Sequence, residues 1–166
     1  MAKNTGRKKI DNIKIEGARI IFKNFQGKGN DFNDEGNRNF ALVIEDEEMA
    51  KVLKEDGWNI KRLKPREDEE IGTAYLQVKV KYGDYPPIAV LITSRGKTKL
   101  DEDTIGQLDW TSMKNVDLIV RPYNYPARSG RPAGISAYLK SIYVTVNEDD
   151  LELKYADVPD AADYEE

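Results

Sequence analysis

Apolar and polar positions alternate most cleanly in residues 73–82, TAYLQVKVKY, where Leu76, Val78 and Val80 fall on one side and Gln77, Lys79 and Lys81 on the other. A period of two marks a strand with one buried face, and here the other face is cationic. Residues 12–25, NIKIEGARIIFKNF, alternate well enough for one long strand, with Gly17 as the expected bulge or bend. Residues 39–45, NFALVIE, place Phe40, Leu42 and Ile44 on one face, and residues 58–63, WNIKRL, read as a further strand. The run 88–94 is apolar enough for an interior strand, and RGKTK after it reads as a basic turn. Two more strand-like runs lie in residues 115–147, on either side of a loop rich in Arg, Pro and Gly.

The helical signals are few and short. Asp46 is a suitable N-cap, Glu47 and Glu48 suit the positive end of a helix, Met49, Val52 and Leu53 form an apolar stripe, and Gly57 supplies a stop. Asp101 is expected to cap a second helix, DEDTIGQLDW, with Ile105 and Leu108 inward. Six or seven short strands, two short helices, Gly- and Pro-rich turns and no βαβ rhythm predict a mainly β fold, a small barrel or sandwich with helical insertions. No internal repeat is visible.

Composition narrows the chemistry. In 166 residues there is no Cys and no His, which removes thiolate and imidazole catalysis, structural zinc and disulfides. No apolar run is long enough to span a membrane, and MAKNTGRKKI lacks the apolar core of a signal peptide, so an intracellular, soluble protein is expected. The net charge of −4 hides a strong polarity. Residues 148–166 hold nine acids against Lys154, a local charge of −8, whereas Lys3, Arg7, Lys8 and Lys9 make the first ten residues basic. The expected organisation is a basic flexible arm over 1–10, one domain over 11–147 and an acidic tail over 148–166.

Residues 118–147 contain Arg121, Arg128, Arg131 and Lys140 and no acid, a local charge of +4, with Tyr123, Tyr125, Tyr138 and Tyr143 interleaved. Flat rings beside cations are what stacks bases while neutralising phosphates. The candidate nucleic-acid-binding residues are Lys23, Phe25, Lys28, Arg62, Lys79, Lys81, Tyr82, Tyr85, Arg121, Tyr123, Tyr125, Arg128, Arg131, Tyr138 and Lys140. Phe22, Phe40, Trp58 and Tyr143 are assigned to the core. Asp31, Asn33, Glu35 and Gly36 imitate the opening of a calcium-binding EF-hand loop, but Leu42 stands where the closing Glu should be, and calcium is rejected.

The segments RNFALVIEDEEMAKVLKEDGWNIKRL, YLQVKVKY and PYNYPARSGRPAGISAYLKSIYVTV, together with the acidic C-terminus, resemble a bacteriophage single-stranded DNA-binding protein. The resemblance spans most of residues 12–166. It implies an OB-fold-like five-stranded barrel with additional strands and two short helices, no cofactor, no catalysis, and work on phage DNA replication or recombination in the cytoplasm of the infected host cell. It implies single-stranded DNA as ligand and replication or recombination proteins as partners of the tail, through Asp157, Asp160, Asp163, Tyr164, Glu165 and Glu166, and it leaves a homo-oligomer open. Related tails often end on an aromatic residue, whereas Glu165 and Glu166 follow Tyr164 here. Two other readings compete: a protein-interaction domain whose acidic tail mimics nucleic acid, and a magnesium-dependent nuclease built on Asp101, Glu102, Asp103, Asp109 and Asp117.

Overall fold

A computed structural model describes residues 10–148. Nine strands form one sheet: β1 (Ile13–Ile15), β2 (Ile20–Asn24), β3 (Arg38–Ile44), β4 (Ile60–Arg62), β5 (Ala74–Val80), β6 (Ile88–Thr93), β7 (Gly96–Leu100), β8 (Met113–Tyr125) and β9 (Gly134–Val146). Its main path runs β1-β8-β9-β5-β3-β2, so that β1 and β2 end an open sheet rather than closing a barrel. The strand β5 is its hub. One edge of β5 is antiparallel to β3 from Ala74 to Val80, and the other meets β4 and then, in parallel, β9 at Val78 and Lys79. The β6–β7 hairpin branches from β9, with β6 parallel to it.

Alternation decides the faces. Phe40, Leu42 and Ile44 of β3, Leu76 and Val78 of β5, Val116, Leu118 and Val120 of β8, and Ile135, Ala137 and Leu139 of β9 form the core. The helix α1 (Glu47–Asp56) covers part of it with Ala50 and Leu53. Its ends follow from its sequence: the Asp46 carboxylate accepts from the Glu48 and Met49 amides, and Gly57 takes φ 109, which lets its N–H return to the last carbonyls. Val52, expected on the buried stripe, is half exposed.

Three elements depart from the sequence reading. Residues 12–25 are two strands: the chain breaks after Ile15, the Gly17 amide donates to Asp117, and β1 pairs with β8 while β2 pairs with β3. The bulge sits at Phe22 and Lys23, which together stand opposite Phe40, with Phe22 at φ 52. The RGKTK segment is mostly strand rather than turn, since β7 forms the outer edge of a hairpin, and lysines are at home on edges because they resist pairing with another chain. The second helix is a 3₁₀-helix, Ile105–Asp109. Asp101 caps the turn before it, accepting from the amides of Asp103 and Thr104 and from the Thr104 hydroxyl. These bonds, the hydroxyl first, hold the Asp101 carboxyl below its ordinary range.

The arm and tail fall largely outside the described residues, and all six tail residues named above lie there. Their inner boundaries are visible. Ile10 packs half-buried against the core, and the Glu148 carboxylate accepts from the Ser94 amide and hydroxyl at 2.7 and 2.9 Å.

Candidate nucleic-acid interface

Residues paired across strands share a face, so register alone assembles a surface. Opposite the core, β3 presents Asn39, Ala41 and Val43, paired with Lys79, Gln77 and Tyr75 of β5. Lys79 pairs with Tyr138 of β9, and Tyr138 with Arg121 of β8. Lys61 of β4 pairs with Tyr75 and joins the same face. Ala41 and Val43 are almost fully covered, which makes them a floor between taller side chains.

At one end of this face the rings carry cations. The Arg121 guanidinium lies 5.0 Å from the ring centre of Tyr138 and 5.6 Å from that of Tyr85, and Lys79 Nζ is 5.9 Å from Tyr138. Tyr123 meets Tyr138 edge-on at 5.6 Å. Tyr85 and Tyr123 remain exposed. Toward the hairpin tip, Arg131 stacks on Tyr125 at 4.3 Å, and Arg128 and Arg131 exchange both backbone hydrogen bonds. Gly134 is needed opposite Tyr125, because a Cβ there would run into the tyrosine hydroxyl. Each cation held over a ring keeps its charge and stays positioned for an anion.

The surface then continues toward β2. A cleft of about 420 Å³ is lined by Arg38, Asn39, Lys79, Lys81, Tyr82 and Tyr138 among others. Arg38 lies 5.6 Å from the ring centre of Tyr82, whose hydroxyl is buried without a hydrogen-bond partner, and this burial raises its pKa. Asn39 and Gln77 lead on into a second cleft of about 580 Å³, shared by Phe22, Phe32, Trp110, Lys23 and Lys28.

Most of the predicted residues therefore lie along one track, but three do not serve it as expected. Phe25 is fully buried and stacked on Phe40 at 5.1 Å, which places it in the core, out of reach of any ligand. Arg62 pairs with the buried Ala74, so it sits on the opposite face from Lys61. There its guanidinium forks onto Glu47 of α1 at 2.8 and 3.0 Å and donates to the Gly72 carbonyl. Lys23 lines the outer cleft, but its ammonium is taken up by the carbonyls of Leu108 and Thr111. Lys28, Lys81, Arg128 and Lys140 are exposed.

Two core assignments also fail: Phe22 is 66% exposed and Tyr143 40%, while Phe40 and Trp58 are buried as expected. Sequence reasoning missed Lys61, Tyr75, Phe32 and Trp110. Strand parity counted from Leu76 could have found Tyr75, Lys61 depends on the register of β4 against β5, and nothing in the pattern marks the others.

Three of the five carboxylates considered for a metal have other work. Asp109 accepts from the amides of Phe25 and Gln26, Asp117 from Gly17 and Asn115, and Asp101 from its own turn. No group of three or more acids that could hold a metal occurs among the described residues.

An open sheet face carrying aromatic rings, amides and cations belongs to the class of surfaces that bind a nucleic-acid strand by stacking and phosphate neutralisation. The chain belongs to the family described as "Putative phage ssDNA-binding domain", which matches residues 2–165. The family is one of DNA-binding rather than catalytic domains. Among solved structures the fold is similar to the single-stranded DNA-binding protein from bacteriophage Enc34 in complex with ssDNA, with 14% identity over 83% of this chain and 88% of that one and a TM-score of 0.53. It is also similar to a second structure of the single-stranded DNA-binding protein from bacteriophage Enc34, with 13% identity over 83% of this chain and 82% of that one and a TM-score of 0.51. No curated protein sequence matches the chain.

Proposed function

We propose that the chain binds single-stranded DNA without strong sequence preference along the Asn39–Lys79–Tyr138–Arg121 face, and that it protects the strand during phage DNA replication or recombination in the cytoplasm of the infected host cell. The observation that carries this reading is Tyr138, a ring held between Lys79 and Arg121 and touched edge-on by Tyr123. A ring takes any base, and the flanking cations take the phosphates. Family membership supports DNA as the polymer.

The acidic tail acts in the same reading as a competitor and a handle. Glu148 is fastened to Ser94 at the β6–β7 turn, beside Arg95, and β7 carries Lys97 and Lys99. Residues 149–166 could span about 60 Å when extended, enough to cross a small domain. Tethering keeps this charge at high effective concentration near the cationic face, while exposed ion pairs of about 0–1 kcal/mol each let it exchange. DNA then displaces the tail and frees Tyr164 and its neighbouring acids for a replication partner.

The test is a fluorescence-anisotropy titration of single- and double-stranded oligonucleotides, at low and moderate salt, with the full chain and with a chain lacking residues 149–166. Single strands should win, affinity should fall as salt rises, and the truncated chain should bind more tightly, most of all at low salt. Equal affinity for duplex, or no salt dependence, refutes the groove. Equal affinity with and without the tail refutes the competition alone.

A further inference from the structure

At its β2 end the track holds large apolar rings in water: Phe32 is 98% exposed, Trp110 82% and Phe22 66%. Together they line the cleft of about 580 Å³, and a separate device holds each of them there. Phe22 occupies the bulge of β2 at φ 52, the only non-glycine residue with positive φ among the described residues. That conformation costs free energy in a bulky residue. The ring gains little packing in return, since it meets Tyr75 edge-on at 6.4 Å.

Trp110 follows a 3₁₀-helix clamped to β2 across more than eighty residues of sequence. Lys23 donates to the carbonyls of Leu108 and Thr111 on either side of the tryptophan, and Asp109 accepts from the amides of Phe25 and Gln26. Phe32 tops a loop braced from within. The Asn33 side chain donates to the carbonyls of Lys28, Asp34 and Asn37, Asn24 bonds Lys28 in both directions, and the Phe32 amide donates to Asn30.

We infer that Phe22, Phe32 and Trp110 form a second base-stacking platform for the same single strand, one that grips by ring contact rather than by charge. The inference rests on the single-strand reading above and extends it. Asn39 and Gln77, which line both clefts, form the bridge between the two platforms over the floor of Ala41 and Val43. The Asn39 side-chain N–H groups donate to Asn33 and the Asn37 carbonyl, so Gln77 is the residue with donors to offer a passing base or sugar, and both offer an acceptor. Of the two lysines that line this cleft, Lys23 has its ammonium turned onto backbone carbonyls and Lys28 is exposed, so this end carries fewer free cations than the basic end, and stacking on its rings is tolerant of base identity.

The two tryptophans supply the test. Trp58 is 3% exposed and Trp110 82%, so quenching of intrinsic fluorescence by an oligothymidylate reports on Trp110. An oligomer long enough to span both platforms should quench it and shield it from iodide, and Trp110→Phe should abolish the response. Trp110→Ala should weaken the long oligomer by about 5- to 100-fold with an unchanged salt slope, and should leave a short oligomer that fills only the basic end unaffected. Phe22→Gly guards against a folding artefact: glycine accepts the positive φ, so the melting temperature should hold or rise while affinity for the long oligomer falls. If the wild-type chain binds single strands but Trp110 is not quenched and both variants bind like wild type, the second platform is refuted and the first stands. That result would leave the rings as a docking surface for a protein. If the wild-type chain binds no single strand, both readings fall together.

Discussion

The two ends of the track present rings in opposite ways. At the β8–β9 end the rings stand beside cations: strand pairing brings Tyr138 to Lys79 and Arg121, and the hairpin loop folds Arg131 over Tyr125. At the β2 end the rings are bare, the nearby ammonium of Lys23 is consumed by backbone carbonyls, and the geometry comes from irregularity: a bulge, a 3₁₀-helix and a braced loop. Register places side chains at no cost in strain and suits residues that must align in rows along a phosphate backbone. Irregular backbone has to be held by dedicated hydrogen bonds, and it can turn an apolar ring outward where alternation would bury it. The contrast predicts a strongly salt-sensitive grip at the basic end and a weaker salt dependence at the other, where Lys28 is the exposed cation.

The largest effect that would test this contrast is at Tyr138. Replacing it with Ala should cost about 1–3 kcal/mol of single-strand affinity and leave Lys79 and Arg121 without their ring, whereas Tyr138→Phe should bind almost as wild type. Anisotropy titrations over a salt series separate the parts: Arg121→Ala should flatten the slope of log K against log salt by about 0.7 for each phosphate that this arginine neutralises, and Tyr138→Phe should not. If Tyr138→Ala bound normally, the basic end would be a solvated hairpin and no platform. A smaller effect is expected at the clamp. Asp109→Ala removes the acceptor for two backbone amides and should lower stability by about 1–2 kcal/mol, read as a lower melting temperature. It should also increase acrylamide access to the already exposed Trp110 only slightly, while weakening long oligomers through loss of ring placement.

What the sequence made legible follows the same division. The core of β3 and β5, the caps Asp46 and Gly57, and the Lys79–Arg121–Tyr138 cluster all depend on periodicity or on one-residue chemistry, and each can be read from the chain. Phe22 was hidden because the alternation around it is intact in sequence and broken only by a bulge that shifts parity. Lys61 and Arg62 are adjacent, so register decides which of them faces the track, and a shift of one residue exchanges their roles. Phe25 looked like an exposed strand end because its stacking partner, Phe40, comes from another strand. Trp110 and Phe32 are exposed through contacts made 80 or more residues away or inside one loop, which no local pattern records.

The smallest effect belongs to Arg62, the cation assigned to the opposite face. Arg62→Ala should leave single-strand affinity and its salt slope unchanged, because the guanidinium is turned toward α1, where it bonds Glu47 and the Gly72 carbonyl. The same pair carries a pH signature. The hydrogen bond from Arg62 holds the Glu47 carboxyl below its ordinary value, and Glu47 raises that of Arg62. A depressed carboxyl stabilises the fold above its unfolded pKa, and that contribution disappears as pH falls through the lower, folded pKa. A raised guanidinium is already fully protonated across this window, so the acid side alone should show the effect. The melting-temperature difference between wild type and Glu47→Gln should therefore be small but measurable at neutral pH and should shrink as pH falls through and below the ordinary carboxylate range. High salt should shrink it at neutral pH, since the pair is exposed. A loss of DNA affinity in Arg62→Ala with unchanged stability would reverse the assignment and put this arginine on the strand's path after all.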